Sequence, residues 1–507
     1  MTSGIGAFGA GKRPNIIFIM TDQQRFDSIA ALGAGWMRTP NLDRLVREGV
    51  SFNNCFVNSP VCVTARASLF AGKYPHKTGV FHNFQPWEPT WVKWLADAGY
   101  HCVNIGKMHI NPYQAMGGFH QRFVVENKDR PLFLDEHARA FYDEWDKALK
   151  SHNIVKPSRY NRYAKDPDAY EKALGCFLWE DDEQLHSDFF VGNTAKWWLD
   201  DRKAETPLFL QIGFPGPHPP YDPSARYLAM YENADIPVPE LTEAELARQP
   251  KAQEALRQNM IDFNFDSVRW KRLPSQDDLL KIRRHYAANV TMIDDKIGEL
   301  IATLEAKGYL ENTIVIFTSD HADALGDHGH IQKWTMYDTV LRVPLIFWAP
   351  GMGLKPASVD TPMELMDVAP TILEACGIEV PGDWDAQSLW PTLIDGTPPG
   401  DGVVYSELAR DHIQTGAAFI VMRRDKDWKI VWYAGEDDGE LYDLRADPEE
   451  RDNLWFDPRH AERRDKWIDE IKDRAVLGML KGRQVQLPKP QQPMPTKAEQ
   501  GRKQPGK

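Results

Sequence analysis

Asn15-Ile16-Ile17-Phe18-Ile19-Met20-Thr21-Asp22 is a short apolar run that delivers an acid at its carboxyl end. An unbroken run of Ile, Phe and Met reads as a strand buried on both faces. The pattern returns far along the chain, where Thr313-Ile314-Val315-Ile316-Phe317 runs into Thr318-Ser319-Asp320-His321. In open α/β sheets, ligands sit just beyond the carboxyl ends of parallel strands. Two such strands side by side bring Asp22, Asp320 and His321 around one point. Hard oxygen donors with one imidazole suit a divalent metal. A single such Asp reads more simply as the cap of a following turn; the repetition favours a site.

Around these strands, helix and strand patterns alternate, which predicts an α/β fold. Tyr100 to Ile105 reads as a strand leading into Gly106-Lys107-Met108-His109, and Leu208 to Ile212 as one leading into Gly213-Phe214-Pro215-Gly216-Pro217-His218. Val343 to Trp348 reads as another. Asp278 to Lys307 has helical periodicity, with Gly308 where a C-terminal cap belongs. Residues 111–180 and 222–280 lack clear periodicity and read as excursions around a mouth rather than as sheet. The aromatic stretch from Phe177 to Trp198 reads as core.

After about Pro398 the pattern changes to short strands at Val403–Ser406, Ala418–Arg423, Trp428–Tyr433 and Leu441–Leu444. They predict a small antiparallel sheet, followed by an amphipathic helix near Arg459 to Leu480. The organisation expected is an N-terminal extension (1–13), a catalytic unit (14–397), a small C-terminal domain (398–486) and a flexible tail (487–507).

The 507-residue chain carries a formal charge of −13, which argues against nucleic-acid and anionic-membrane partners. An anionic substrate then needs a local pocket of positive charge. No run is long enough to span a bilayer, and the first residues hold no apolar core, so no secretory signal is expected. Five cysteines, an odd and small number, suit a reducing cytoplasm. The oligomeric state is open, a homo-oligomer included.

The most distinctive segment is Pro60-Val61-Cys62-Val63-Thr64-Ala65-Arg66-Ala67-Ser68-Leu69-Phe70-Ala71-Gly72. Pro60 ends an extended approach, helix-compatible residues follow, and Gly72 supplies a stop. A helix starting near Cys62 puts this residue at the positive end of the helix dipole and on one face with Arg66. A sulfur nucleophile beside a guanidinium suits an oxyanion substrate. The competing reading is a structural Cys on a core helix, with Arg66 reaching solvent; on the local motif alone the two are close.

Taken in order, these segments resemble the sulfatase family of the alkaline-phosphatase superfamily over nearly the whole chain. The resemblance rests on Pro14 to Asp22, on Cys62 to Arg66 with Ala71-Gly72-Lys73-Tyr74-Pro75-His76, on Gly106 to His109, and on Pro217-His218-Pro219-Pro220-Tyr221. It continues through Thr318 to His321, Lys333, Arg342 to Ile346, Met366 to Leu373 and Glu440 to Leu444. It implies an α/β/α sandwich of alkaline-phosphatase type with a small C-terminal antiparallel-sheet domain.

The resemblance also implies hydrolysis of a small-molecule sulfate monoester by a formylglycine made from Cys62 by a formylglycine-generating enzyme. An aldehyde hydrate has two hydroxyls on one carbon, one to attack sulfur and one whose proton loss expels sulfate. The motif's usual Pro is Thr64 here. One divalent metal, Ca2+ or alternatively Mn2+, is implied on Asp22, Asp320, His321 and the modified Cys62, with Gln23 as a further ligand. Arg66 is implied to hold the hydrate. Lys107, His218 and Lys333 are implied to grip the sulfate oxygens, His218 also to protonate the leaving oxygen, and His109 to assist the second hydroxyl. The pairing of Asp22-Gln23 with Asp320-His321 resembles the choline-sulfatase-like and phosphonate-monoester-hydrolase-like branches.

The alternatives are a phosphonate monoester or phosphodiester hydrolase with the same site, and a catalytically silent anion-binding protein with unmodified Cys62. Asp323, Asp327, His328 and His330 read as a solvated supporting loop rather than a second metal site. His76 and His82 read as packing or hydrogen-bonding residues.

Overall fold

The computed structural model describes residues 13–482 apart from 88–89, 130–140, 204–205 and 264, and for 479–482 the backbone only. The extension up to residue 12 and the tail from 487 lie outside the described residues. The centre is a nine-stranded mixed sheet with the order β4-β3-β5-β1-β6-β7-β2-β8, and β9 beside β2. Its strands are β1 (Asn15–Asp22), β2 (Val50–Phe56), β3 (His101–Gly106), β4 (Gln121–Val124), β5 (Leu208–Pro217), β6 (Thr313–Ser319), β7 (Arg342–Trp348), β8 (Ala357–Val359) and β9 (Met363–Glu364).

Adjacent pairs from β4 through β6 are parallel, whereas β7 runs antiparallel to both β6 and β2. The two strands of the opening motif are neighbours in register, Ile16 beside Ile314 and Thr21 beside Ser319. Alternation along β1 explains its unbroken apolarity. Ile16, Phe18 and Met20 join one core layer and Ile17 and Ile19 the other, so every position faces a covering helix. The layer under Ile16 includes Val63, Ala67 and Phe70 of the Cys62–Ala71 helix; the layer under Ile17 includes Val191 and Leu199 of the Ser187–Asp201 helix. The long helix Gln276–Ala306 feeds both layers, through Ile282 and Tyr286 at one end and Ile297 and Leu300 at the other.

The excursion at 111–180 is corrected in one respect: Gln121–Val124 forms the edge strand of the main sheet. It is too short and too polar to show alternation. Among the described residues of 222–280, the regular elements are helices and isolated bridges.

A second sheet has the order β10 (Val404–Ala409), β11 (Phe419–Arg424), β12 (Trp428–Tyr433), β13 (Gly439–Asp443), all antiparallel. One of its faces packs Val421, Ile430 and Leu441 against Trp467 and Ile471 of the Ala461–Gly482 helix. The other, through Ile420, Met422 and Val431, joins the core of the main sheet. No helix among the described residues is long and apolar enough to cross a membrane.

Candidate active site

The carboxyl ends of β1 and β6 bring Asp22, Asp320 and His321 together, each fully buried, with their ligand atoms within 4.8 Å of one another. Asp22 Oδ1 and His321 Nε2 lie 3.8 Å apart. Neither atom has a hydrogen-bond partner among the described residues. Buried polar atoms are nearly always paired, so two orphans aimed at one point mark a place for a cation. Gln23 follows in the left-handed region at φ 71°, and its N–H donates to Asp320 Oδ1 at 3.1 Å.

The helix begins at Cys62, after Val61 in extended conformation, and ends at Gly72 with φ 65°. Cys62 is therefore in the first turn, where backbone N–H groups have no helical partner. Arg66 does not reach solvent. It is fully buried, with Nε donating to Asp320 Oδ2 at 2.7 Å, Nη2 3.5 Å from Asp22 Oδ2, and Nη1 donating to Lys107 O at 3.1 Å. This geometry corrects the expectation, in the structural reading of the segment, that Arg66 reaches solvent.

Lys107 arrives because β3 stops at Gly106, where φ is 98°. A Cβ there would overlap Gly213 O on β5, and one at Gly213 would overlap Lys107 O. Only two glycines permit the approach, which is sealed by the Lys107 N–H donating to Gly213 O at 2.8 Å. Lys107 Nζ then lies 2.6 Å from Asp22 Oδ2. Lys333 Nζ lies 3.7 Å from Cys62 Sγ and 3.3 Å from Gln23 Oε1.

His218 is tied to the same strand end by its N–H, which donates to Asp22 O at 3.1 Å. Its Nδ1 is 2.7 Å from Pro219 O, so Nδ1 carries a proton and Nε2 is the atom presented to the site. His109, at φ 60°, is anchored by its N–H donating to Glu126 Oε2 at 2.9 Å. Its ring Nδ1 is buried and has no hydrogen-bond partner among the described residues.

Charge follows from this crowding. Burial opposes ionisation of Asp22, but Lys107, His218, Arg66 and Lys333 outweigh it and hold the carboxyl well below its usual range. Burial likewise opposes the charge on Lys333, yet Cys62, Asp266, Asp22 and Asp320 raise its pKa. Burial, then Lys333, pushes His218 down to about 3, and burial, then Lys107, does the same to His109. The site thus gathers three fixed cations, Arg66, Lys107 and Lys333, against the carboxylates of Asp22, Asp320 and Asp266, with both histidines uncharged.

Sequence reasoning missed Asp266. Its Oδ2 lies 3.7 Å from His218 Nε2 and 4.0 Å from Lys333 Nζ, and its backbone is left-handed at φ 48°. It arrives from an excursion without periodicity, and no local pattern marks it. The loop after His321 is corrected from solvated to buried: Asp323, His328 and His330 are all at most 7% exposed. Asp327 pairs with Arg25 and Arg283, and His328 with Glu245. His76 hydrogen-bonds Glu407 at 2.7 Å, whereas His82 is exposed.

A mostly parallel sheet with such a cluster at its carboxyl edge, beside a smaller antiparallel sheet, defines a hydrolase fold of alkaline-phosphatase type. The family description Sulfatase matches residues 14–378, and the chain belongs to that family, as a sulfuric ester hydrolase. A second description, N-sulphoglucosamine sulphohydrolase, C-terminal, matches residues 326–476. The chain is 29% identical to an arylsulfatase of Clostridium perfringens over 93% of this chain and 95% of the relative. It is 30% identical to a choline-sulfatase of Rhizobium meliloti over 88% and 83%. The solved structure of the phosphonate monoester hydrolase of Agrobacterium radiobacter superposes with a TM-score of 0.76 at 25% identity, covering 92% of this chain and 96% of that one.

Proposed function

We propose that this sulfatase hydrolyses a sulfate monoester to an alcohol and inorganic sulfate, using a formylglycine derived from Cys62 and one divalent metal. The observation that carries the reading is the pair of orphaned buried atoms, Asp22 Oδ1 and His321 Nε2, facing one point beside Cys62. The residues fit such an ion. Asp22, Asp320, His321 and Gln23 would hold it, a mainly oxygen set consistent with Ca2+ and, alternatively, Mn2+. When bound, the metal supplies Lewis-acid polarisation of a sulfate oxygen and of the nucleophile. The aldehyde hydrate at position 62 supplies one hydroxyl for attack and a second for release of sulfate.

The chain's own residues do the rest. Arg66, locked between two carboxylates, fixes the first turn of the helix and the hydroxyls carried there. Lys107 and Lys333 converge on the transferred group and stabilise its developing charge. His218 presents Nε2 to the leaving oxygen. An incoming sulfate ester adds negative charge beside that ring, which favours the protonated form needed to donate. His109 takes the proton of the second hydroxyl.

Catalysis is assigned to residues 14–397, with 398–486 as a small C-terminal domain. All five cysteines are unpaired, which supports a reducing cytoplasm, where a formylglycine-generating enzyme would act on Cys62. A second reading, phosphonate monoester hydrolysis, is favoured by the superposition with that enzyme. The resemblance of Lys107-Met108-His109 to the sulfatase pattern favours the sulfate ester. Mass spectrometry of the Cys62 segment, with rates on an aryl sulfate and a phenyl phosphonate, tests both. An entirely unmodified Cys62 in inactive protein would leave the silent anion-binding reading.

A further inference from the structure

Gln23 has a side chain that can face two ways, and its neighbours fix which. Its Nε2 donates to Asp323 Oδ2 at 2.6 Å, while Lys333 Nζ donates to its Oε1 at 3.3 Å. A carboxylate only accepts and an ammonium only donates, so both partners select the same amide orientation. Asp323 is itself held on all sides. Its Oδ2 also accepts from the Tyr221 hydroxyl at 2.7 Å, and its Oδ1 accepts from the N–H groups of Leu325 at 3.0 Å and Gln332 at 2.8 Å. It is fully buried, with no cation within ion-pair distance among the described residues. A buried carboxylate with neutral donors alone is costly, and it persists where it has a task.

We infer that Asp323 is a positioning residue that turns the Gln23 carbonyl oxygen towards the metal centre and so makes Gln23 a ligand rather than a bystander. The inference rests on the metal site proposed above. An amide can ligate a hard cation only through its oxygen. Outer groups that orient a ligand commonly matter about 10–100-fold in metal affinity. The same carboxylate ties the backbone at Leu325 and Gln332 together, and Lys333 follows directly. One side chain therefore sets both the ligand and the approach of the ammonium beside Cys62.

The test uses the full chain freed of metal and titrated by calorimetry with Ca2+ alone and with Mn2+ alone. Asp323→Asn keeps the shape and the acceptor for Leu325 and Gln332, but it meets Gln23 with an NH2 group. Gln23 then turns round and shows its own NH2 to the ion. Affinity is expected to fall about 10–100-fold with the fold unchanged by circular dichroism. Adding Gln23→Glu to Asp323→Asn restores an oxygen whichever way the side chain faces. The double variant is therefore expected to bind within a few-fold of the unaltered chain, and more tightly than either single variant. Asp323→Asn binding like the unaltered chain, or a double variant no better than Asp323→Asn, would overturn the inference. Failure of the unaltered chain to bind either ion would instead overturn the metal reading on which it stands.

Discussion

Arg66 and Asp320 form a buried pair, Nε to Oδ2 at 2.7 Å, in a place where neither reaches solvent. The carboxylate that the cluster offers to an ion is thus also the partner of the guanidinium that orders the nucleophile segment. Removing it does two things at once. Asp320→Ala strands a buried guanidinium, and breaking such a pair costs about 3–5 kcal/mol. Asp320→Asn keeps the shape with less loss. Both variants are expected to lose turnover and bound metal. Elemental analysis beside activity checks this, and an active Asp320→Asn protein with normal metal content would contradict it.

Lys107→Ala and Lys333→Ala remove one converging charge each. Either is expected to raise the barrier by about 2–4 kcal/mol, the scale of losing one preorganised stabiliser. Metal content should persist, because neither ammonium is a ligand. Steady-state rates on an aryl sulfate provide the measurement, and wild-type rates in both variants would exclude them from the transferred group.

Thr64 is buried in the first turn, and its hydroxyl has no hydrogen-bond partner among the described residues. The Ala65 N–H makes the first bond of the turn, to Val61 O at 2.8 Å. Pro at position 64 therefore costs no helical hydrogen bond. Thr64→Pro is expected to raise the aldehyde fraction at position 62, with activity rising in proportion. Cys62→Ser is expected to lose multiple turnover, since a serine sulfate has no neighbouring hydroxyl to expel the anion. Aldehyde content and rate measured in one preparation decide the matter.

Glu364 and Asp367 give a pH prediction away from the site. Burial, and for Glu364 the Asp367 charge, pushes these carboxyls up to about 8 and about 7. Tyr74 OH donates to Glu364 at 2.8 Å, and the Glu364 N–H donates to Asp367 at 3.1 Å. The folded chain keeps protons here that the unfolded chain releases near pH 4. This contribution to stability is whole below about pH 4 and is lost as pH rises through 7 to 8. Unfolding free energies from urea titrations are expected to fall between pH 5 and 9, by on the order of a few kcal/mol. Glu364→Gln should flatten that slope; an unchanged slope would show that the pair does not hold its protons.

What the sequence revealed follows physical range. The strands ending in Asp22 and Asp320 were legible because burial on both faces forces an unbroken apolar run. The helix at Cys62 was legible because its stop is a glycine. The four short strands after Pro398 kept their alternation. β2 was not recognised: Asn53 and Asn54 interrupt it where its pairing with β7 shifts register. The left-handed turn at Gln23, the arrival of Asp266 and the hold of Asp323 were illegible as well. Each is set by partners distant along the chain, and local composition carries no trace of them.

The closeness of Gly106 and Gly213 bears on how this chain can vary over evolutionary time. Neither residue carries a side chain, yet together they set the depth at which the Lys107 ammonium enters. A single added methyl there would act as a catalytic lesion disguised as a packing change. The positions least free to change without displacing that ammonium therefore include two that hold no functional group at all.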